Sequence, residues 1–192
     1  MMKYYAHSLE GKDKSKWQLL EGHLINVAKL AQKFADEFGA GDFGYITGIL
    51  HDIGKYSIEF QNRLEGKGFK VDHSTAGAKE INKSYPGKGK LLAYCIAGHH
   101  AGLPDWIGDG DDSSLSARID KNNISDYSAF TKEVQTYLIN ELKLSNPKEK
   151  DKEAISIWAY SFIRMIYSCL VDADFLDTEN FYDIRNSSHY SA

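Results

Sequence analysis

Apolar residues recur at intervals of three and four along most of the chain. Trp17, Leu20, Leu24, Val27, Ala31, Phe34 and Phe38 trace one face of an amphipathic helix closed by Gly39 and Gly41. A second run, Phe43, Ile46, Ile49 and Leu50, predicts a helix that carries His51 and Asp52 and ends at Gly54. Phe60, Leu64 and Phe69, interrupted by Gly66 and Gly68, predict a short helix and a mobile loop. Another helix opens at Asp72 or Ser74, either of which is a suitable cap, into Ala76-Gly77-Ala78. A Pro86-Gly87-Lys88-Gly89-Lys90 turn precedes a helix over Leu91 to His100, and the Gly- and Asp-rich stretch 101–112 reads as a loop. A packing helix is expected from Ser125 through Leu142 and a solvated turn over Asn146 to Lys152. The last long helix is expected from about Asp151, with Ile155, Trp158, Phe162, Ile163, Ile166 and Leu170.

Composition narrows this picture. The 192 residues suit one domain, and 42% hydrophobic with 26% charged residues is the balance of a soluble globular protein. Cys95 and Cys169 fall in apolar helical patterns and read as reduced core thiols of a cytoplasmic protein. The N-terminus lacks the apolar stretch of a secretory signal. The most apolar segment, Ala154 to Val171, contains Arg164 and runs into Asp172 and Asp174, so a buried helix is expected there in preference to a membrane span. The net charge of −4 removes any general basic attraction for nucleic acid. A polynucleotide substrate would have to be drawn in by bound cations, local patches or a partner.

The candidate chemistry lies in polar residues on otherwise apolar faces. His23 stands three after Leu20 and four before Val27 and so points inward, either as a hydrogen-bonded core histidine or as a ligand. His51 and Asp52 are adjacent, offering one imidazole nitrogen and two carboxylate oxygens, with Lys55 on their face if the turn stays helical. His73 sits at a helix mouth and is equally consistent with a surface histidine. His99 and His100 close an apolar helix. Asp174 continues the stripe Ile163, Ile166, Leu170, whereas Asp172 follows the more polar Ser161, Met165, Ser168, so Asp174 is the inward carboxylate. An inward carboxylate requires a partner or a cation.

Taken together, His23, His51, His73, His99, His100, Asp52 and Asp174 are too many for a structural zinc, which closes with four ligands. They suit two divalent ions sharing Asp52. A set rich in imidazole and free of thiolate favours iron, manganese, nickel, cobalt or zinc over magnesium or calcium. Such a pair suits in-line phosphoester hydrolysis. Two other sites are excluded. No G-x-x-x-x-G-K-[ST] loop exists, and Asp109, Asp111, Ser113 and Asp120 approximate calcium-loop spacing without its glycine or final glutamate.

In order along the chain, His23, His51-Asp52 and a late Asp174 preceded by alanine resemble the HD superfamily of metal-dependent phosphohydrolases. More narrowly, Ala6-His7-Ser8, His51-Asp52-Ile53-Gly54-Lys55, Phe60-Gln61, Asp72 through Ala78, Gly98-His99-His100-Ala101-Gly102-Leu103 and Asp172-Ala173-Asp174 with Asp177-Thr178-Glu179 resemble the HD nuclease of type I CRISPR interference. The resemblance implies an all-α helical bundle and a nuclease that degrades single-stranded DNA in antiviral defence. That DNA would be unwound by a helicase domain or subunit working with the CRISPR RNA-guided surveillance complex. It also implies that His23, His51, Asp52 and Asp174 hold one metal, that Asp52, His73, His99 and His100 hold the other, and that Lys55 contacts the phosphate or the departing oxygen. His7 and Ser8 match the opening block without an assigned role.

No helicase follows Asp177-Thr178-Glu179, so 1–192 is expected to be one HD nuclease domain, either a stand-alone subunit or an excised part. Two rivals remain. One keeps the fold and hydrolyses nucleotides or cyclic nucleotides; the other is an all-helical adaptor with incidental histidines.

Overall fold

The computed structural model describes residues 2–108, 113–143 and 151–187. Two short antiparallel strands open the chain, β1 (Tyr5–His7) and β2 (Gln18–Leu19), with Tyr5 opposite Leu19 and His7 opposite Gln18. Everything else regular is helical: α1 (Leu20–Asp36), α2 (Gly41–Leu50), α3 (Ile58–Leu64), α4 (Ser74–Ser84), α5 (Lys88–Gly98), α6 (Leu115–Asp120), α7 (Phe130–Glu133) and α8 (Lys152–Ser187). The fold is all-α.

Several boundaries differ from the periodicity. The first helix begins at Leu20 and not Trp17, because Gln18 and Leu19 are taken by the strand pair and Leu20 N–H donates to Tyr4 O at 2.9 Å. The second ends at Leu50, with His51 as its cap, and Ile53–Tyr56 forms a 3₁₀ turn. Gly54 therefore sits inside that turn and does not end the helix. A Cβ there would lie 2.2 Å from His73 O, so the glycine lets the start of α4 reach the His51-Asp52 corner. Asp72 stabilises that start by accepting from Thr75 N–H at 3.2 Å. The fifth helix starts at Lys88, inside the expected turn.

The expected helix over 125–142 is not formed. The structure has one turn, α7, and a 3₁₀ turn over Gln135–Tyr137: Phe130 and Val134 enter the core from that single turn, and Leu142 from the irregular chain beyond it. The helix α6 was not foreseen. It seats Leu115 in the core, while Arg118 donates to Ser74 Oγ and Ala97 O at 3.1 and 2.8 Å. Asp109 and Asp111 of the calcium-like spacing, and most of the turn over Asn146 to Lys152, lie outside the described residues.

The helix α8 buries only a stripe: Phe162, Ile166, Leu170 and Ala173 enter the core, while Ile157, Tyr160, Met165 and Phe175 are exposed. The expectation of a buried helix is corrected to a half-buried one. By length and composition α8 also suffices to cross a bilayer. Its inner stripe is instead packed on α1, α2 and α5.

The pair α1 and α2 positions the site. They approach closely because Gly44 and Gly48 face Ala28, Ala31 and Ala35, and a Cβ on Gly48 would stand 2.5 Å from Ala28 Cα. This seam brings the ring centroids of His23 and His51 to 5.2 Å. Gly48→Ala should therefore push the helices apart and destabilise the protein by about 1–3 kcal/mol. Urea denaturation followed by circular dichroism measures this as a lowered midpoint at unchanged slope; an unchanged midpoint would mean that the seam is not tight.

Candidate metal centre

Six separate segments deliver the cluster. His23 comes from α1, His51 caps the C-terminus of α2, and Asp52 and Lys55 belong to the corner and 3₁₀ turn that follow. His73 precedes α4, His99 and His100 close α5, and Asp174 lies on α8. His7 comes from β1. The structure thus brings together all seven residues singled out as ligands, along with Lys55. Asp172 is exposed and outside the cluster.

Asp52 is at the centre. Its Oδ2 lies 3.5 Å from His23 Nε2 and 3.3 Å from His51 Nε2. Asp174 Oδ1 joins this side at 3.4 Å from His23 Nε2 and 3.7 Å from His51 Nε2. The other oxygen, Asp52 Oδ1, lies 3.3 Å from His73 Nε2 and 3.4 Å from His99 Nε2. His100 Nε2 is 2.8 Å from His73 Nε2. Two groups therefore share one carboxylate: His23, His51, Asp52, Asp174 and Asp52, His73, His99, His100. Either could hold a metal ion.

The outer nitrogen of each buried ring is fixed. His51 Nδ1 donates to Gly48 O at 2.8 Å and His99 Nδ1 donates to Ile96 O at 2.7 Å, both to the carbonyl three residues back. His73 Nδ1 reaches Val71 O at 3.3 Å. A carbonyl only accepts, so Nδ1 carries the hydrogen and Nε2 of a neutral ring presents a lone pair to the centre. His23 Nδ1 lies 2.7 Å from Asp177 Oδ2, and that carboxylate also accepts from Gln18 and Asn26 at 2.7 and 2.9 Å.

These donors fit divalent cations. Nε2 of His23, His51 and His99 and Oδ1 of Asp52 are buried without hydrogen-bond partners, and Asp52 Oδ2 meets the Lys55 ammonium. Separations of 3.3 to 3.7 Å are longer than good charge-assisted hydrogen bonds. They match the edge between ligands that each stand about 2.1 Å from a common ion.

The charges support the same reading. Burial opposes ionisation of Asp52, but Lys55, His51 and His73 hold its carboxyl well below the usual range. Lys55 Nζ is 2.6 Å from Asp52 Oδ2. Residues three apart on a 3₁₀ turn lie on one edge, which explains that contact. Burial also opposes charge on His51, yet Asp52 and Asp174 raise it to about 10. Burial lowers His73 and His100 to about 4, leaving them neutral and ready to donate at ordinary pH. In the absence of metal, Lys55 and a proton on His51 offset the two carboxylates.

The residue missed as functional is Asp177, which belongs to a matching block but had no assigned role. Its signal was present: it follows Asp174 by three and continues the inward stripe of α8. His7 packs edge-on to His23 at 5.2 Å and its Nε2 is 3.3 Å from Thr178 Oγ1. It stands against the cluster without an oxygen of Asp52 or Asp174 among its contacts.

A family model described as HD domain matches residues 20–133 of the chain. That stretch holds the five histidines, Asp52 and Lys55, while Asp174 and Asp177 lie beyond it. No curated protein matches the chain.

Two outcomes are expected. Asp177→Asn keeps the shape of its side chain but weakens the hold on His23 Nδ1, and should reduce manganese affinity by about 10- to 100-fold. Equilibrium dialysis with metal analysis would show this; wild-type affinity would make the contact irrelevant to binding. Metal must also displace the proton on His51, so titration near neutral pH should release about one proton per molecule from that group. Calorimetry in buffers of different ionisation heat counts the protons, and affinity should rise with pH up to about 10.

Proposed function

We propose, from the premise that this chain belongs to the HD-domain family, that it is a nuclease cutting the phosphodiester backbone of single-stranded DNA. Family membership makes metal-dependent phosphoester hydrolysis the chemistry of the site. The choice of DNA over a free nucleotide rests chiefly on one observation. The centre opens on a cleft of about 520 Å³ whose outer residues, Arg63, Lys70 and His100, are exposed, and no carboxylate among the described residues lines it. A strand can run through such a cleft and beyond it, whereas a nucleotide hydrolase needs a closed pocket that selects a base. The blocks around His7, His51, His73, His99 and Asp174 add support for a role in CRISPR antiviral defence. A helicase and an RNA-guided surveillance complex would then supply the single strand. Buried, unpaired Cys95 and Cys169 are consistent with work in the cytoplasm.

In this reading His23, His51, Asp52 and Asp174 hold one cation, and Asp52, His73, His99 and His100 hold a second. Bound cations would supply Lewis acidity and a template for the phosphate. The chain's own residues do the rest. Gly48 O, Ile96 O and Asp177 lock the imidazoles of His51, His99 and His23, so those three rings do not have to reorient when substrate arrives. Lys55, buried yet lining the cleft, places an ammonium where negative charge grows on the phosphate or the departing oxygen.

Asp52→Ala should abolish cutting of circular single-stranded DNA with manganese present, while circular dichroism and thermal melting show a folded protein. Cutting by the variant would sink the assignment of Asp52. Hydrolysis of a nucleotide panel by wild type, with circular DNA left intact, would favour the small-molecule reading.

A further inference from the structure

Beside the candidate centre, the cleft wall carries cations that the chemistry above does not use. Phe60, buried on α3, organises them. Its ring centroid lies 5.2 Å from that of His73, 5.4 Å from Lys55 Nζ and 5.7 Å from Arg63 Cζ. One ring thus spaces a candidate ligand, the ammonium beside Asp52 and an outer guanidinium. Lys70, between α3 and α4, lines the same cleft.

Among the described residues, neither Arg63 nor Lys70 is part of an ion pair. Their neighbour Lys67 is paired with Glu65 at 2.7 Å, and Lys14 also pairs with Glu65. An unpaired guanidinium laid on an aromatic face keeps its fork free for an oxyanion, and its rotamer is restrained beforehand. In a chain of net charge −4 this wall, lined by no carboxylate among the described residues, is a local basic patch of the kind a polyanion needs.

We infer that Arg63 and Lys70 form a phosphate-binding subsite that grips the backbone phosphate next to the scissile one. This rests on the nuclease reading and specifies which residues hold the strand. The ligand is a chain of phosphodiesters, because Arg63 is exposed on the cleft wall and belongs to neither candidate ligand group, so a single phosphate at the centre would leave it unused. Phe60 is 3% exposed, so the contact is made through cations and not by stacking a base on that ring. Binding through this subsite is therefore insensitive to sequence.

The test is fluorescence anisotropy with a labelled oligothymidylate in EDTA, where no cutting occurs, over a range of salt. The variants are R63Q, K70Q and their double, with K33Q/K83Q as a charge-matched control on exposed positions outside the cleft. Each cleft substitution should weaken binding by about tenfold and lower the slope of log K against log salt by about 0.7. R63K should recover part of the loss, and the control should bind as wild type does. Unchanged affinity and slope in the double variant would overturn the subsite while leaving the nuclease reading intact if wild type still cuts. Equal loss in the control would reduce the effect to net charge and overturn it too. A wild type that neither binds nor cuts the strand would overturn the nuclease reading together with the subsite.

Discussion

Everything in this molecule is arranged around a carboxylate in the wrong place. Asp52 is fully buried, and both of its oxygens face imidazole nitrogens at 3.3 to 3.5 Å, longer than good charge-assisted hydrogen bonds. Burying an ionised carboxylate is expensive unless a cation compensates it. Here a second carboxylate, Asp174, is brought beside it. Lys55 and a proton on His51 offset the charge in the metal-free protein, but they leave a set of lone pairs converging on two points with Asp52 between them. A fold that only needed stability would replace such a cluster with apolar side chains. Its persistence is explained by divalent cations.

Holding the cluster requires a scaffold that does not let the rings turn, and the helix ends provide it. The last carbonyls of a helix have no partner within the helix. His51 and His99 use this identically: each follows the final turn, and each Nδ1 donates to the carbonyl three residues back, Gly48 O and Ile96 O. The same bond satisfies an orphan acceptor and fixes a tautomer. His23 lies inside α1, where no carbonyl is free, and its Nδ1 is engaged by Asp177 instead. The close seam of Gly44 and Gly48 against α1, and of Gly54 against His73, sets how near these anchored rings come. Small residues and ring positions are therefore two parts of one geometric requirement.

How much of this is legible in the sequence follows from where each property resides. Ligand identity lies in the residue types themselves, and the inward stripe of α8 separates Asp174 from Asp172 without any coordinates. The pairing of Tyr5–His7 with Gln18–Leu19 left no trace, since strands of three and two residues are too short for alternation to register. The false helix over 125–142 had real apolar spacing. Phe130 and Val134 meet the core within one turn, and the burial of Leu142 is supplied by an irregular chain, a tertiary result that periodicity cannot distinguish. Arg63 and Lys70 carry no local signal at all, because a cleft wall exists only once α3 and the segment before α4 are packed beside His73.

The electrostatics of substrate approach tie these elements together. Asp52 and Asp174 put two negative charges where a phosphate must arrive, in a chain that is already negative overall. Lys55 and the His51 proton bring the metal-free cluster no further than neutrality, so the centre by itself offers a phosphodiester little attraction. Two things change that balance. Divalent ions would invert the sign of the cluster, and the cleft wall presents positive charge that no carboxylate among its described lining residues cancels. The wall acts whether or not the centre is loaded, whereas the centre can attract only when it is. On the nuclease reading proposed above, a strand would first be held by the wall, and drawn onto Asp52 only when cations make that position favourable, which couples productive binding to the loaded state without any moving part.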